Sequence, residues 1–198
     1  MIIGVLGVDT SSFIAIFASA GVAIGMALSG TLQNFAGGVM ILLFRPFKVG
    51  DYIEAQGVAG TVKQIQIFNT VIATPDNKII LLPNGAVSTG IINNYSREPK
   101  RRLDMTFSIS YGNDFEKAKE VLLKLIAQDS RILNDPAEPF IVLGEMGASS
   151  IDIIVRVWCN QGDYWGIKFD LNQKVYETFP QEGLEFPFQT FTVNVTKE

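Results

Sequence analysis

The chain has 198 residues, of which 47% are hydrophobic and 18% are charged, and its formal net charge is -4. Histidine is absent and Cys159 is the only cysteine, which excludes a disulfide within the chain, a zinc cluster and Ser-His or Cys-His catalysis. The acidic balance argues against a dedicated nucleic-acid binder. We therefore predict no enzymatic activity, no metal and no cofactor.

The first predicted element is an apolar helix, because residues 10–44 carry no charge. At a rise of about 1.5 Å per residue this helix would be about 52 Å long, whereas the bilayer core is about 30 Å thick. The sequence therefore predicts a membrane-spanning segment near 11–30, then a bend, then a second helix at the membrane surface. Glycines that favour a bend lie at Gly30, Gly37 and Gly38.

A cleaved signal peptide and a buried core helix are the alternatives for this stretch. The stretch is too long for a signal peptide, lacks a positive region before it, and continues directly into a folded domain. So long a charge-free run would be unusual in a soluble protein of this size. Arg45 and Lys48 at its end indicate that this side faces the cytoplasm.

Small side chains dominate the predicted span and fall in two rows at a spacing of four residues. One row holds Ala15, Ser19, Ala23 and Ala27, and the other holds Gly21, Gly25 and Ser29. Small residues at this spacing allow two membrane helices to approach closely. Two rows allow each helix to contact a neighbour on both sides, and identical helices arranged in this way close into a ring. The pattern therefore indicates a pore.

Val22 and Met26 stand between the two rows, one helical turn apart. In a ring their copies would form two apolar collars, which can stop ions by excluding water. The alternative is that both side chains face lipid or another helix. The spacing alone does not decide between these interpretations.

Short alternating runs follow residue 45. Strands are predicted at 51–55, 61–68, 71–74 and 79–82, separated by turns at 57–60, 75–77 and 83–85, and this spacing indicates a small barrel or meander. The charged segment 97–102 could be a phosphate or RNA site, but it has acidic neighbours and no interleaved aromatic residue. A solvated linker is therefore the favoured interpretation.

The last part of the chain alternates strands and helices. A strand over 103–111 precedes a helix with Asn113 as its predicted N-cap; strands at 140–143 and 151–158, a helix over 164–179 and a strand at 190–195 follow. The order β-α-β-β-α-β is the ferredoxin-like motif. Cys159 lies in an apolar strand, so we interpret it as a buried structural thiol.

Several segments together carry a family resemblance. They are 21–30 (GVAIGMALSG), 44–47 (FRPF), 57–62 (GVAGTV), 83–85 (PNG), 94–99 (NYSREP), 147–150 (GASS) and 155–158 (VRVW). The chain closely resembles the small-conductance mechanosensitive channel (MscS) family over nearly its whole length. The resemblance implies a membrane helix plus an α+β fold: a pore-lining helix over 1–44 kinked near Gly37 and Gly38, an Sm-like β domain over 45–104, a ferredoxin-like domain over 105–188, and a C-terminal barrel strand over 189–198.

The resemblance also implies a function. The expected assembly is a homoheptamer in the bacterial inner membrane, with its C-terminal domain in the cytoplasm. Membrane tension would open a weakly selective pore for ions and small solutes and so relieve osmotic pressure, without a nucleic-acid partner. A membrane-tethered Sm-like and ferredoxin-like binding module is the alternative, but it leaves the two rows of small residues unexplained.

Site residues follow from the resemblance by position. Val22 and Met26 occupy the seal; Ala15, Ser19 and Ala23 match one packing row; Ala18, Gly21 and Gly25 match the row on the neighbouring helix; Gly30, Gly37 and Gly38 are hinge positions; and Asn34 is expected to contact the β domain near Asn84 and Gly85.

The sequence departs from the family pattern in three respects. Leucine is common at both seal positions, where this chain has Val22 and Met26. Ala18 and Ser19 replace the commoner Gly and Ala. The family has two further transmembrane helices before this one, so we expect the chain to be a fragment that lacks them.

Overall fold

The computed structural model describes residues 11–191, and the chain divides into two compact units, residues 1–97 and 98–198. The predicted domain boundary between residues 104 and 105 is wrong, because it falls inside strand β6 (Lys100–Ile109). All ten residues of β6 pair in register with one other strand of the second unit. Cutting β6 would break this ladder, so the units separate before it, between Arg97 and Glu98.

The first unit begins with α1 (Ser11–Phe44), a single helix of 34 residues. The predicted second helix is not a separate element, because the helix runs without interruption through Gly30, Gly37 and Gly38. Only Gly37, Gly38 and Ile41 of α1 are buried by the chain itself. A helix that is apolar on all sides and buried only near one end needs another apolar environment around the rest.

Five antiparallel strands form the sheet of the first unit. They are β1 (Tyr52–Ala55), β2 (Val58–Ile65), β3 (Asn69–Ala73), β4 (Ile79–Pro83) and β5 (Ile92–Asn94), in the order β4-β3-β2-β1-β5. The turn between β1 and β2 is formed by Gln56 and Gly57, with φ of 53° and 75°, rather than by the predicted 57–60. Two left-handed residues give the turn the twist that a two-residue hairpin requires. The core of this unit includes Phe47, Ile53 and Ile72 together with Ile41 of α1.

A short helix, α2 (Asn84–Thr89), follows β4 where the sequence predicted only a turn. Pro83 precedes it with φ of -60° and an extended ψ of 125°, so the chain enters the helix directly from the strand. Asn84, Gly85 and Val87 of this helix are buried.

The second unit packs two helices against a small antiparallel sheet. After β6 come α3 (Phe115–Ala127), β7 (Ile132–Leu133), β8 (Phe140–Met146), β9 (Ile151–Asn160) and α4 (Tyr164–Gln181). Strand β9 is central, with β6 on one side and both β7 and β8 on the other. Taking β6, β8 and β9 as the first three strands, the described elements follow the β-α-β-β-α part of the ferredoxin-like order, and the predicted α+β class is confirmed.

Two predictions for the second unit need correction or lie beyond the description. Asp114, not Asn113, is the N-cap of α3, since its carboxylate accepts from the N–H groups of Glu116 and Lys117 at 2.9 and 3.3 Å. The predicted strand at 190–195 and the barrel strand at 189–198 fall mostly outside the described residues, and 189–191 are not in a strand.

Cys159 lies in β9 with its side chain fully buried, as the sequence predicted. Burial raises the pKa of its thiol, with a smaller contribution from the carboxylate of Asp163. A thiol that is kept protonated and inaccessible packs as a small apolar group.

Candidate functional site

The N-terminal part of α1 is exposed along its whole length. Every residue from 11 to 33 is exposed, although none of them is charged and most are apolar. Within the described residues, α1 is the one helix long and apolar enough to cross a membrane. Apolar side chains on all faces of an exposed helix indicate that lipid or other protein surrounds it.

The predicted packing residues all lie in this exposed part of α1. They are Ala15, Ala18, Ser19, Gly21, Ala23 and Gly25. A Cβ atom added at Gly21 or Gly25 would have no neighbouring atom within 4 Å. Among residues 11–191, the absence of a side chain at Gly21 and Gly25 therefore serves no contact.

The hydroxyl groups in the two rows have backbone partners within the helix. Ser19 Oγ donates to the carbonyl oxygen of Ile16 at 2.8 Å, and Ser29 Oγ donates to that of Met26 at 3.0 Å. Both serines can therefore face an apolar surface without leaving an unsatisfied donor.

The predicted seal residues lie one turn apart on the exposed part of α1. Val22 is 63% exposed and Met26 is 73% exposed. Neither side chain carries a hydrogen-bonding N or O atom, so copies of them around an axis would present an apolar ring to water. Their role as the seal stays a prediction.

The C-terminal part of α1 contacts the rest of the first unit at α2. The backbone N–H of Gly85 donates to Asn34 Oδ1 at 2.9 Å, so the side chain of Asn34 satisfies the second N–H of α2. A Cβ atom at Gly85 would lie 2.9 Å from Asn34 Oδ1 and 3.0 Å from Gln33 Cγ. The absence of a side chain at Gly85 permits this approach. The structure thus brings Asn34 and Gly85 into contact.

Asn84 joins this contact to the sheet. Its side chain is fully buried, and Nδ2 donates to the carbonyl oxygens of Gln66 at 2.8 Å and Ile67 at 3.2 Å. Its Oδ1 accepts from the hydroxyl of Thr70 at 2.8 Å. A buried amide whose donors and acceptor are all used holds the β2–β3 turn, β3 and α2 in one arrangement.

Gly37 and Gly38 permit a close backbone approach between α1 and the sheet. A Cβ atom at Gly37 would lie 2.5 Å from the carbonyl oxygen of Asn84. At Gly38 it would lie 2.5 Å from the carbonyl oxygen of Ile67. Both positions were predicted as hinges, and that role stays a prediction. The structure gives them a packing role that the sequence analysis missed, because the contacting residues are distant in sequence.

A cavity of about 470 Å³ lies where α1 ends and the sheet begins. Arg45, Lys48 and Arg97 line it together with apolar side chains and Asp51. The sequence analysis used Arg45 and Lys48 only to orient the helix, and it assigned Arg97 to a solvated linker. The pairing of β5 with β1 brings Arg97 to this cavity, and no local pattern encodes that pairing.

Two family models match the chain. The model for the mechanosensitive ion channel beta-domain covers residues 30–97, and the model for the C-terminal domain of the mechanosensitive ion channel MscS covers residues 103–186. The first match begins within α1 and includes the contact of Asn34 with Gly85. The two matches cover most of the chain.

Named relatives and a solved structure agree with the family models. A small-conductance mechanosensitive channel of Edwardsiella ictaluri is 46% identical over 177 residues, which are 89% of this chain and 62% of the relative. An MscS family protein of Buchnera aphidicola is 37% identical, over 99% of this chain and 69% of the relative. The crystal structure of Helicobacter pylori MscS in a closed state has a TM-score of 0.92 at 28% identity, over 99% of this chain and 78% of that one. The chain thus spans under two thirds of the length of the Edwardsiella relative.

Proposed function

The chain belongs to the MscS family of mechanosensitive ion channels, and from this premise we propose that it is one subunit of a tension-gated pore lined by α1. The assembly is a homoheptamer in a bacterial inner membrane, and the domain after α1 lies in the cytoplasm. Ions and small solutes pass through the open pore with weak selectivity, and their release relieves osmotic pressure. Neither a cofactor nor a covalent step is needed.

The observation that supports this proposal most strongly is a contrast within α1. Some of its small residues contact nothing in the described part of the chain, and others pack tightly against the sheet and α2. Within residues 11–191, a Cβ atom at Gly21 or Gly25 would meet nothing within 4 Å, whereas Gly37 and Gly38 are in tight contact. Helices in a membrane gain little from burying apolar surface, so they associate through close packing of small residues. The rows in the exposed part of α1 are therefore suited to contact the same helix in a neighbouring copy.

The proposed mechanism couples membrane area to the width of the seal. Tension favours the state with the larger area in the membrane plane, because it lowers the free energy of that state relative to the narrower one. The two rows of small residues carry no large side chains, so neighbouring helices can slide and tilt against each other without a steric barrier. The collars formed by Val22 and Met26 then separate and fill with water, and ions pass.

The decisive experiment replaces Val22 with Asn and records currents under graded suction from liposomes that contain the protein. A polar amide hydrates the seal, so Val22→Asn is expected to open at lower tension and to leak at rest. Val22→Leu keeps the collar apolar and is expected to stay closed at rest.

Ile24→Asn is the matched control, because position 24 lies about 200° around the helix from position 22. It introduces the same amide on another face of the exposed part of α1 and is expected to leave the resting current unchanged. An unchanged threshold and a silent resting state for Val22→Asn would remove Val22 from the seal. Equal leakage in both Asn variants would show that the effect is not specific to the pore face.

A further inference from the structure

We propose that the sulfur of Met26 is an oxidation site, and that its conversion to the sulfoxide by hydrogen peroxide opens the pore. The proposal rests on the seal position of Met26 in the proposed function and adds a chemical trigger to membrane tension. Val22, the other seal residue, has a hydrocarbon side chain that peroxide does not oxidise. Of the two seal residues, Met26 is therefore the one that can carry such a switch.

The methionines among residues 11–191 differ in how far their side chains are accessible. Met26 is 73% exposed, Met146 is 70% exposed and Met40 is 49% exposed, whereas Met105 is buried in the core of the second unit. A side chain one turn after Met26 would lean back toward it, because helical side chains point toward the N-terminus. That position is Gly30, which has no side chain. The thioether of Met26 is therefore left uncovered by the residue one turn after it.

The position of Met26 along α1 also favours oxidation from the cytoplasm. Met26 lies four residues after Val22, which places it about 6 Å closer to the end of α1 at Phe44. The domain after α1 is cytoplasmic in the proposed function. Peroxide that enters the pore from that side therefore reaches the Met26 collar without passing the Val22 collar.

The reaction transfers one oxygen atom from peroxide to sulfur. A lone pair of Met26 Sδ attacks one peroxide oxygen, so that an S–O bond forms and the O–O bond breaks. The hydroxide that leaves takes the proton from the transferred oxygen and becomes water. Sulfur is oxidised by two electrons and peroxide is reduced by two. Methionine sulfoxide reductases reverse the change with electrons from a dithiol, so the modification can act as a switch.

The oxygen of the sulfoxide needs a hydrogen-bond donor, and the nearest hydroxyl group along α1 is already engaged. That hydroxyl belongs to Ser29, whose Oγ donates to the carbonyl oxygen of Met26 at 3.0 Å. Residues 10–44 also carry no charge. A polar oxygen in an apolar ring raises the free energy of the closed state unless water reaches it. Oxidation of Met26 therefore favours the wider, water-filled state of the collar.

The test adds hydrogen peroxide to liposomes that contain the 198-residue protein and records currents under graded suction. Digestion and mass spectrometry then measure the fraction of each methionine that has gained an oxygen atom. One buried polar group without a partner shifts an equilibrium about tenfold, so the resting open probability is expected to rise about tenfold as Met26 is oxidised. Buried Met105 is expected to stay unmodified. Methionine sulfoxide reductase with dithiothreitol is expected to restore the original resting current.

Variants assign the response to one sulfur atom. Met26→Leu keeps the collar apolar and removes the sulfur, so its current is expected not to change when peroxide is added. Met26→Gln places a permanent polar group in the collar and is expected to leak without peroxide. The matched control is Met40→Leu with Met146→Leu, which removes the other exposed methionines of residues 11–191 and is expected to respond like the unchanged protein. An equal response to peroxide in Met26→Leu and the unchanged protein would overturn the proposal.

Two further outcomes would also overturn it. If Met26 stays unmodified at a dose that oxidises Met146, its sulfur is not accessible in the assembly. If Met26 is oxidised and the current does not change, the sulfoxide does not open the collar. Val22→Asn separates this failure from a failure of the pore proposal. When Val22→Asn leaks and oxidised Met26 does not, the pore proposal stands and the oxidation site is rejected; when neither changes the current, both proposals are rejected.

Discussion

The two parts of α1 use the same residue type for different purposes. In residues 11–33 glycines face open space, and a Cβ at Gly21, Gly25 or Gly30 would meet nothing within 4 Å. In residues 34–44 glycines are compressed, and a Cβ at Gly37 or Gly38 would overlap a backbone carbonyl at 2.5 Å. The comparison teaches that a glycine in a helix has to be interpreted from what lies against it.

The two groups of glycines should also differ in what they stabilise: the fold of the single chain in one case and the assembly of several chains in the other. The contacts of Gly37 and Gly38 belong to the chain's own fold, so their loss is expected to change its stability. The surface around Gly25 contacts nothing among the described residues 11–191, so a larger side chain there is expected to change assembly alone. Three substitutions test this division, and they follow in order of their expected effect on stability.

Gly38→Ala should have the largest effect on stability. Its Cβ would lie 2.5 Å from Ile67 O and 2.7 Å from Asn84 Nδ2, and the carbonyl is backbone that cannot rotate away. Overpacking of this kind costs about 3 kcal/mol, which lowers the thermal midpoint of a chain of this size by about 6–12 °C. Gly30→Ala is the control, because it adds the same atom in open space and improves helix propensity. Equal midpoints for the two variants, measured by circular dichroism, would contradict the comparison.

Asn34→Val should have an intermediate effect. It removes the acceptor for the Gly85 N–H, and valine and asparagine have similar helix propensities. The loss of an N-terminal cap costs about 1 kcal/mol. Hydrogen exchange at the Gly85 amide is expected to accelerate about fivefold, because 1.4 kcal/mol corresponds to a factor of ten.

Asn34→Asp is the matched variant for this contact. It replaces the amide oxygen by a carboxylate oxygen that can still accept from the Gly85 N–H, so it is expected to preserve most of the protection of that amide. If the amide exchanges equally fast in both variants, the hydrogen bond does not hold the two helices together.

Gly25→Leu should have the smallest effect on the chain's own stability, with a thermal midpoint near that of the unchanged protein. Its side chain would instead block close approach of a second helix. Light scattering in nanodiscs is expected to find the unchanged protein as seven copies of a 21.7 kDa chain, about 152 kDa, and the variant in smaller species. Ile24→Leu is the control at a position that is already large. Normal assembly of Gly25→Leu would refute the packing role of the rows.

Sequence patterns predicted the local features of the fold well. The charge-free run ends at Phe44, and α1 ends there as well. The alternation of apolar residues from Leu103 onward correctly predicted β6, whose inward side chains are buried. These features depend on periodicity and charge within a few turns of chain, which a single sequence displays directly.

Features built from distant residues were predicted less well. The packing role of Gly38 depends on Ile67, and the cavity at the end of α1 depends on the pairing of β5 with β1, which brings Arg97 to it. The helix α2 was interpreted as a turn because Pro-Asn-Gly is a strong local turn signal. Buried contacts of Asn84 outweigh that local preference, and no propensity encodes them. The contact of Asn34 with Gly85 was anticipated only through family resemblance.

The buried amide of Asn84 determines where mechanical compliance can reside in α1. Its hydrogen bonds to Thr70, Gln66 and Ile67 fix α2 on the sheet. Residues 34–38 of α1 pack against α2, so we expect them to move together with the sheet. Bending at Gly37 or Gly38 would separate these residues from the backbone carbonyls of Asn84 and Ile67 that they contact. At Gly30 an added Cβ would meet nothing within 4 Å, so no such contact opposes bending there. We therefore expect deformation of α1 to concentrate at Gly30, one turn before Asn34.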